Sequence, residues 1–458
     1  MIDDLLAARL QMAISLGFHI LFAVAGMAMP CLTVLAEWRY YRGRDRIYRE
    51  LAHRWAKGTA ILFAVGAISG TVLSFELGLL WPRFMAQAGP LIGMPFSLEG
   101  LAFFLEAIAL GIYLYGWERV SPRIHLASGI VVAVSGAASG VLVIAVNAFM
   151  NTPRGFVLDD DGEVAAVDLW QAFFTPAFPV QATHMLTAAY ASVGFAVLGI
   201  HAARLLRDPL DPFHRAALRL VLPLLIVVMP LQLLSGDLAA KHLALYQPAK
   251  LAAAEALWET SAGAPLLIGG IPVDGGRRVI FGVHVPKVLS FLAHGSFDAK
   301  VTGLEDIAPD VRPPVLLPHL AFQAMVGCGT LMLGVAAWAT YLLWRKRPIE
   351  TNRTFLRAAV CASPLGLLAV EAGWIVTEVG RQPWIIQGVM RVKDALTPMP
   401  GLQYSLLASV GLYLLLGGVV AVLLFRQVVS KEPISRSSPH AAAGAEGAAG
   451  AAAEGTAK

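Results

Sequence analysis

Stretches of about 20 apolar residues, the length a helix needs to cross a hydrocarbon core, recur along this chain. They lie near residues 9–37, 56–80, 95–117, 124–149, 184–206, 217–236, 319–344, 355–378 and 403–426. Nine spans are predicted, with no internal repeat of the kind that marks many transporters. Two segments do not span. Residues 237–318 are polar and far longer than an ordinary connection, which marks the segment as functional or disordered. Within it, Ala249–Thr260 reads as a short amphipathic helix, on which Lys250 and Glu255 sit about 140° apart and do not share a face. The last residues, 427–458, are rich in Ala and Gly and cannot bury enough surface to fold. The expected fold is therefore an all-α polytopic membrane protein of about nine helices with a large extracytoplasmic loop. Its parts are spans 1–6 (1–236), the loop (237–318), spans 7–9 (319–426) and a disordered cytoplasmic tail (427–458).

Composition agrees. Of 458 residues, 57% are hydrophobic and 14% charged, against about 25% charged in a soluble domain. A net charge of +4 would hint at nucleic acid in a soluble protein. Here the basic residues cluster in alternate short loops and report topology instead. Arg39, Arg42, Arg44, Arg46, Arg49 and Arg54 follow span 1, and Arg345, Lys346, Arg347, Arg353 and Arg357 separate spans 7 and 8. The positive-inside rule places the N-terminus outside and the C-terminus in the cytoplasm. The loop after span 8 is an exception, with Arg381, Arg391 and Lys393 on the outer side. Asp3 and Asp4 replace the basic start of a signal peptide, so the first span is expected to remain. Cys31, Cys328 and Cys361 fall within apolar spans and offer neither a disulfide framework nor a zinc site.

Ionisable residues inside a membrane are costly and usually functional. This chain carries His19, Glu99, Glu106, His184, Glu371 and Glu378 within its spans, with Met325 alongside them. The alternating direction of the spans puts His19, Glu99, His184, Met325 and Glu378 in one layer, beneath the long loop. His plus Met is a typical axial pair for low-spin haem, whereas a lone His or carboxylate leaves an iron site open. Each residue alone has a bland explanation: an interhelical hydrogen bond for a His or Glu, core filling for a Met. Glu99 and Glu106, seven apart, share a helical face, as a proton file requires. Ser139 and Asn147 in span 4 are further polar candidates on that route. A cytochrome b-type bundle would pair histidines on shared helices, and a haem–copper oxidase would cluster several histidines; neither pattern occurs.

At these residues the sequence resembles subunit I of the cytochrome bd quinol oxidases, including the cyanide-insensitive branch. The resemblance runs from Met1 to about Arg426. It rests on MAISLGFHILFA around His19, EGLAFFLE at 99–106, QATHML around His184, KLAAAEALWE at 250–259, FQAMVG around Met325 and EAGWIVTEVGRQPW at 371–384. It implies that His184 and Met325 ligate a low-spin b haem, and that His19 and Glu378 each hold one of two others, a high-spin b haem and the oxygen-binding haem. Glu99 and Glu106 would feed protons to the oxygen site, and Lys250 and Glu255 would bind quinol. Arg381 would pair with a haem propionate, beside Trp374 and Trp384. Gln323 stands where many members have arginine, and the loop is short. These features leave haem d or haem b at the oxygen site equally open.

The implied activity is a respiratory ubiquinol-type oxidase of the bacterial inner membrane. Quinol is oxidised at the outer face, and O2 is reduced to water with cytoplasmic protons. The implied partners are a subunit II, a small single-span subunit, quinol, O2 and membrane lipid, with no nucleic acid. The rivals are a haem-free proton-coupled membrane transporter using the same carboxylates, and an assembly subunit without redox function.

Overall fold

The computed structural model describes residues 3–160, 162 and 164–426; the tail expected to be disordered, Lys431 included, lies outside the described residues. In chain order the first elements are α1 (Asp4–Gly43), α2 (Arg46–Leu80), α3 (Pro82–Tyr115) and α4 (Pro122–Asn151). A small hairpin of β1 (Phe156–Leu158) and β2 (Val164–Val167) and the short α5 (Leu169–Phe173) lead to α6 (Phe178–Leu205) and α7 (Pro212–Tyr246). The long loop holds α8 (Pro248–Ala254), β3 (Ser261–Ala262), β4 (Leu266–Val273), β5 (Arg278–Val285), α9 (Val288–His294) and β6 (Lys300–Val301). Then come α10 (Leu316–Trp344), α11 (Arg353–Ala362) and α12 (Leu365–Val379). The chain continues through β7 (Trp384–Ile386), β8 (Met390–Arg391) and α13 (Val392–Ala395) to α14 (Leu402–Leu424). Among the described residues, nine helical segments are long and apolar enough to cross a membrane, with α11 and α12 counting as one.

Local chemistry explains the boundaries. The Asp3 carboxylate accepts from the Leu5 amide to start α1, and Asp45 does the same for Ile47 at α2. Between them Arg44 adopts a left-handed conformation that ends α1. Ser121-Pro122 and Asp211-Pro212 open α4 and α7 with a capping side chain followed by proline at the first helical position. The eighth span, expected as one helix, is broken at Ser363-Pro364, because proline brings no amide proton to the helical ladder. Meanwhile α7 runs ten residues past its expected end at 236, to Tyr246, helped by the Lys241–Asp237 ion pair of 2.5 Å one turn apart.

The main core joins α1, α2, α6, α7, α10 and α11, and a second cluster joins one end of α1 and α3 to α13 and α14. A polar ladder fastens α14 to the first two helices. The Asp4 carboxylate accepts from the Leu402 amide (2.9 Å), Ser405 donates to Gln11 (2.7 Å), and Ser409 donates to the buried Glu76 (3.0 Å). Where α12 crosses α6 the backbones nearly touch: a Cβ on Gly366 would lie 2.4 Å from the Ser192 Cα. Gly411 on α14 has open space around it. Gly366→Val should therefore abolish recovery of monodisperse protein in detergent, while Gly411→Val leaves it unchanged. Equal size-exclusion profiles for the two variants would contradict this packing.

Candidate functional site

Two histidines sit in sockets of the same construction. His19 of α1 places Nδ1 3.0 Å from the Ser69 hydroxyl of α2, and Ser69 donates its own proton to the Gly66 carbonyl (3.1 Å). His184 of α6 places Nδ1 3.0 Å from Ser235 of α7, and Ser235 donates to the Gln232 carbonyl (3.0 Å). A serine whose proton is spent on a carbonyl can only accept from the ring, so Nδ1 carries the hydrogen; the neutral form of the ring then has its lone pair on Nε2. In both sockets the serine is followed by glycine. A Cβ at Gly70 would lie 2.9 Å from the His19 ring, and one at Gly236 would lie 3.5 Å from the His184 ring. The two sockets differ in one respect. The Gln232 amide nitrogen stands 3.2 Å from Nε2 of His184, while its oxygen accepts from Thr187.

A chain of hydrogen bonds joins α8, α4, α12 and the turn that follows α12. Lys250 of α8 donates to Asn151 (2.5 Å), Asn151 donates to Asn147 (2.8 Å), and Asn147 donates to Glu378 (2.6 Å). Arg381 closes the chain with a 2.5 Å bond to the other Glu378 oxygen. Arg381 is buried, and its Nε and Nη1 have no hydrogen-bond partner. The extra basic residues after span 8 thus have distinct fates, since Arg391 pairs with Asp310 (2.6 Å) and lies over Trp384. Trp374 packs at the edge of the main core, and Met325 lies against Gly373, where a Cβ would come within 3.1 Å of the sulfur.

Glu99 and Glu106 share a face of α3 turned toward α4. Ser139 donates to Glu99 (2.8 Å), whereas Oε1 of buried Glu106 has no donor. Beside Glu106 lies the carbonyl of Gly26: both atoms would be 3.0 Å from a Cβ at Gly136. Pro30 follows Gly26 by four residues within α1, so this carbonyl lacks the usual amide four residues on. Farther along the same helices, buried His125 makes a 2.6 Å pair with Glu37 and reaches the Tyr113 carbonyl at 2.9 Å. The sequence pattern had not singled out Glu37, His125, Asn151, Ser69 or Ser235. The one sequence signal shared by the imidazole sockets is a Ser-Gly pair, at 69–70 and 235–236.

The loop departs from expectation. Its first helix ends at Ala254, not Thr260, with Glu255 as its cap and Ala256 at positive φ. Lys250 and Glu255 are each only 4% exposed, because α8 packs against α7 and α10. They do meet different partners, as their angular separation required. Burial pulls the Lys250 ammonium well below its usual range, with the Arg381 charge adding to this and Glu378 opposing it. Burial raises the Glu255 carboxyl to about 8, against a bond from the Leu267 amide that favours the charged form. Two side chains of α10 hold the loop down. His319 lies between the Ala254 carbonyl (2.8 Å) and the Gly269 carbonyl (3.2 Å). Gln323 accepts from the Gly269 amide and donates to the Leu267 carbonyl, both at 2.9 Å.

Fold and site together define a polytopic helical membrane protein with a polar, imidazole- and carboxylate-bearing interior under a folded loop. The chain belongs to the cytochrome bd terminal oxidase subunit I family, whose match covers residues 7–433. A Bacillus subtilis (strain 168) protein provisionally named cytochrome bd menaquinol oxidase subunit I is 37% identical over 431 residues, 92% of this chain and 96% of that one. The cytochrome bd ubiquinol oxidase subunit 1 of the same organism is 30% identical over 443 residues, 93% and 94% of the two chains. The solved structure of bd oxidase from Geobacillus thermodenitrificans matches with a TM-score of 0.87 and 39% identity, covering 93% of this chain and 98% of that one. The family is one of terminal quinol oxidases that carry haem and work with a subunit II, so it is a family of oxidoreductases and not of transporters.

The raised Glu255 carboxyl has a consequence for loop stability. Its folded value, about 8, exceeds the ordinary 4.5, so the open loop releases this proton at lower pH than the closed loop does. Closure therefore weakens steadily as pH rises from about 4.5 to about 8. Limited proteolysis of the loop should accelerate across that window, and Glu255→Gln should flatten the profile. A wild-type profile already flat between those values would contradict the buried protonated carboxyl.

Proposed function

We propose that this chain is the haem-bearing subunit of its oxidase, holding two b-type haems and a third haem, d or b. The observation that carries this reading is the pair of serine sockets, each of which takes up the Nδ1 hydrogen, so that a neutral imidazole offers its Nε2 lone pair to iron. His184, with Met325, holds the low-spin haem; for this, the Gln232 amide gives up its contact with Nε2. His19 and Glu378 hold the other two. Arg381 keeps two buried N–H groups without partners, a donor set suited to a haem propionate. When bound, the haems supply electron transfer and oxygen binding.

The chain's own residues supply position and protons. Quinol docks at the loop near Lys250 and Glu255. Glu255, protonated near neutrality and able to ionise, receives or releases a quinol proton on that side. Lys250 holds the asparagine chain that fixes Glu378, and Trp374 packs beside the haem ligands. From the opposite face, protons pass to Glu106 and then to Glu99 and Ser139. Proton release and uptake on opposite faces separate charge without a pump. The N-terminus lies outside the bacterial inner membrane, the C-terminus lies in the cytoplasm, and a small single-span subunit joins subunit II.

His184→Ala and Met325→Leu should each remove the low-spin α-band from the reduced spectrum of the purified complex. Ser235→Ala, which touches no iron, should lower haem affinity by about 10–100-fold, the usual cost of losing such a supporting bond. An unchanged low-spin band in all three variants would sink the ligand assignment. Glu99→Gln and Glu106→Gln should slow oxygen consumption by about 10²-fold while quinol still reduces the low-spin haem; normal turnover in both would make the pair structural.

A further inference from the structure

The β4–β5 hairpin lies at an unexpected depth. Gln323 is seven residues into α10, about 10 Å below Leu316 along the helix axis. Its amide holds both Leu267 and Gly269 of β4, so Ile268 sits at that level as well. The 29-residue α10 is about 43 Å long, some 13 Å more than a hydrocarbon core of about 30 Å. Measured up from Trp344, which precedes the Arg345-Lys346-Arg347 cluster, a core of about 30 Å ends near the level of Gln323. Beside the hairpin, Leu316, Leu317 and Leu320 at the start of α10 are exposed as well.

From that level toward its tip the hairpin turns an apolar face outward. Ile268, Ile271, Phe281 and Val283 are all exposed, Phe281 at 86%. Ile268 and Val283 are cross-strand partners. Positive φ at Gly269 and Gly270 places Ile268 and Ile271 three residues apart yet both outward, where regular alternation would turn one of them inward. Phe281 itself is held at φ 60, a conformation that bulky residues rarely adopt. The hairpin's charged residues, Asp274, Arg277 and Arg278, are confined to its tip. The tip packs on Val315, just above the start of α10.

We infer that this hairpin is a membrane-interface element. Its apolar face is seated in the lipid leaflet on the loop's side, continuous with the lipid-facing side of α10. Open strand edges are not tolerated in hydrocarbon, and the two edges meet that rule differently. Along β4, backbone groups are taken by Gln323, His319 and Glu255. Along β5, no strand pairs with the outer edge among the described residues, so that edge stays at the headgroup level, where water reaches it. The inference deepens the proposed quinol site: the strand that offers Ile268 to lipid also holds Glu255 through the Leu267 amide. A lipid-dissolved quinol then meets the loop sideways, from within the leaflet.

The test is a depth measurement on the purified oxidase complex in lipid vesicles. Nitroxide labels go on Ile268→Cys, Phe281→Cys, Val283→Cys and the exposed loop control Glu305→Cys, with the three native cysteines replaced by alanine and the haem spectrum checked. The hairpin labels should collide several-fold more with lipid-soluble O2 than with a water-soluble nickel chelate, and the control should show the reverse. Hairpin labels matching the control overturn the inference. So do labels shielded from both reagents, which would mean that protein covers the face. As a second measurement without cysteine replacement, the added fluorescence of Phe281→Trp should be quenched by brominated acyl chains and not by aqueous acrylamide; the opposite order overturns it. Neither measurement depends on where quinol binds, so failure of the quinol site alone leaves it standing.

Discussion

Hydrocarbon offers no hydrogen bonds, so every polar group inside this bundle must be answered by another part of the chain. That constraint orders the interior. A buried imidazole in water-free surroundings needs its Nδ1 proton placed, and Ser69 and Ser235 do this because their own protons are committed to the carbonyls of Gly66 and Gln232. The ring is thereby oriented, and its neutral form has the lone pair on Nε2. Gly70 lets the His19 ring come closer than a Cβ would allow, and the two sockets place the same serine support on different helix pairs, α1 with α2 and α6 with α7.

The same rule governs the charges. Glu378 and Arg381 pair with one another, and the second Glu378 oxygen is linked through Asn147 and Asn151 to Lys250. The loop therefore does not float over the bundle; it contributes a buried amine to it. His319 and Gln323 extend the connection by binding backbone groups of the loop from the top of α10. Gln323 thus has a definite task. An amide can donate and accept at once, and that is what capping one strand residue on each side of Ile268 requires. Arginine can only donate.

Much of this was legible in the sequence. The spans follow from apolar length, and the family from motifs such as EAGWIVTEVGRQPW. His19, His184, Glu99, Glu106 and Glu378 stood out because lipid makes such residues expensive. Less legible were contacts made across long separations. Ser69 lies fifty residues from His19, and Asn151 almost a hundred from Lys250; serine and asparagine are ordinary enough in helices to attract no notice alone. Local periodicity also overran the loop helix, to Thr260 instead of Ala254, since it does not register the positive φ of Ala256 that follows the helix end. The extension of α7 was missed because its last turns are amphipathic and pack on loop elements, beyond the reach of a hydropathy window.

The central claim is that this chain carries haem that accepts electrons from quinol and delivers them to oxygen. An anaerobic optical spectrum of the purified complex, taken before and after quinol and then after a pulse of air-saturated buffer, tests it most directly. The account predicts that reduced haem bands, the low-spin α-band among them, appear on adding quinol and disappear with the pulse as oxygen is consumed. A colourless complex, or haem bands that quinol cannot reduce, would contradict it.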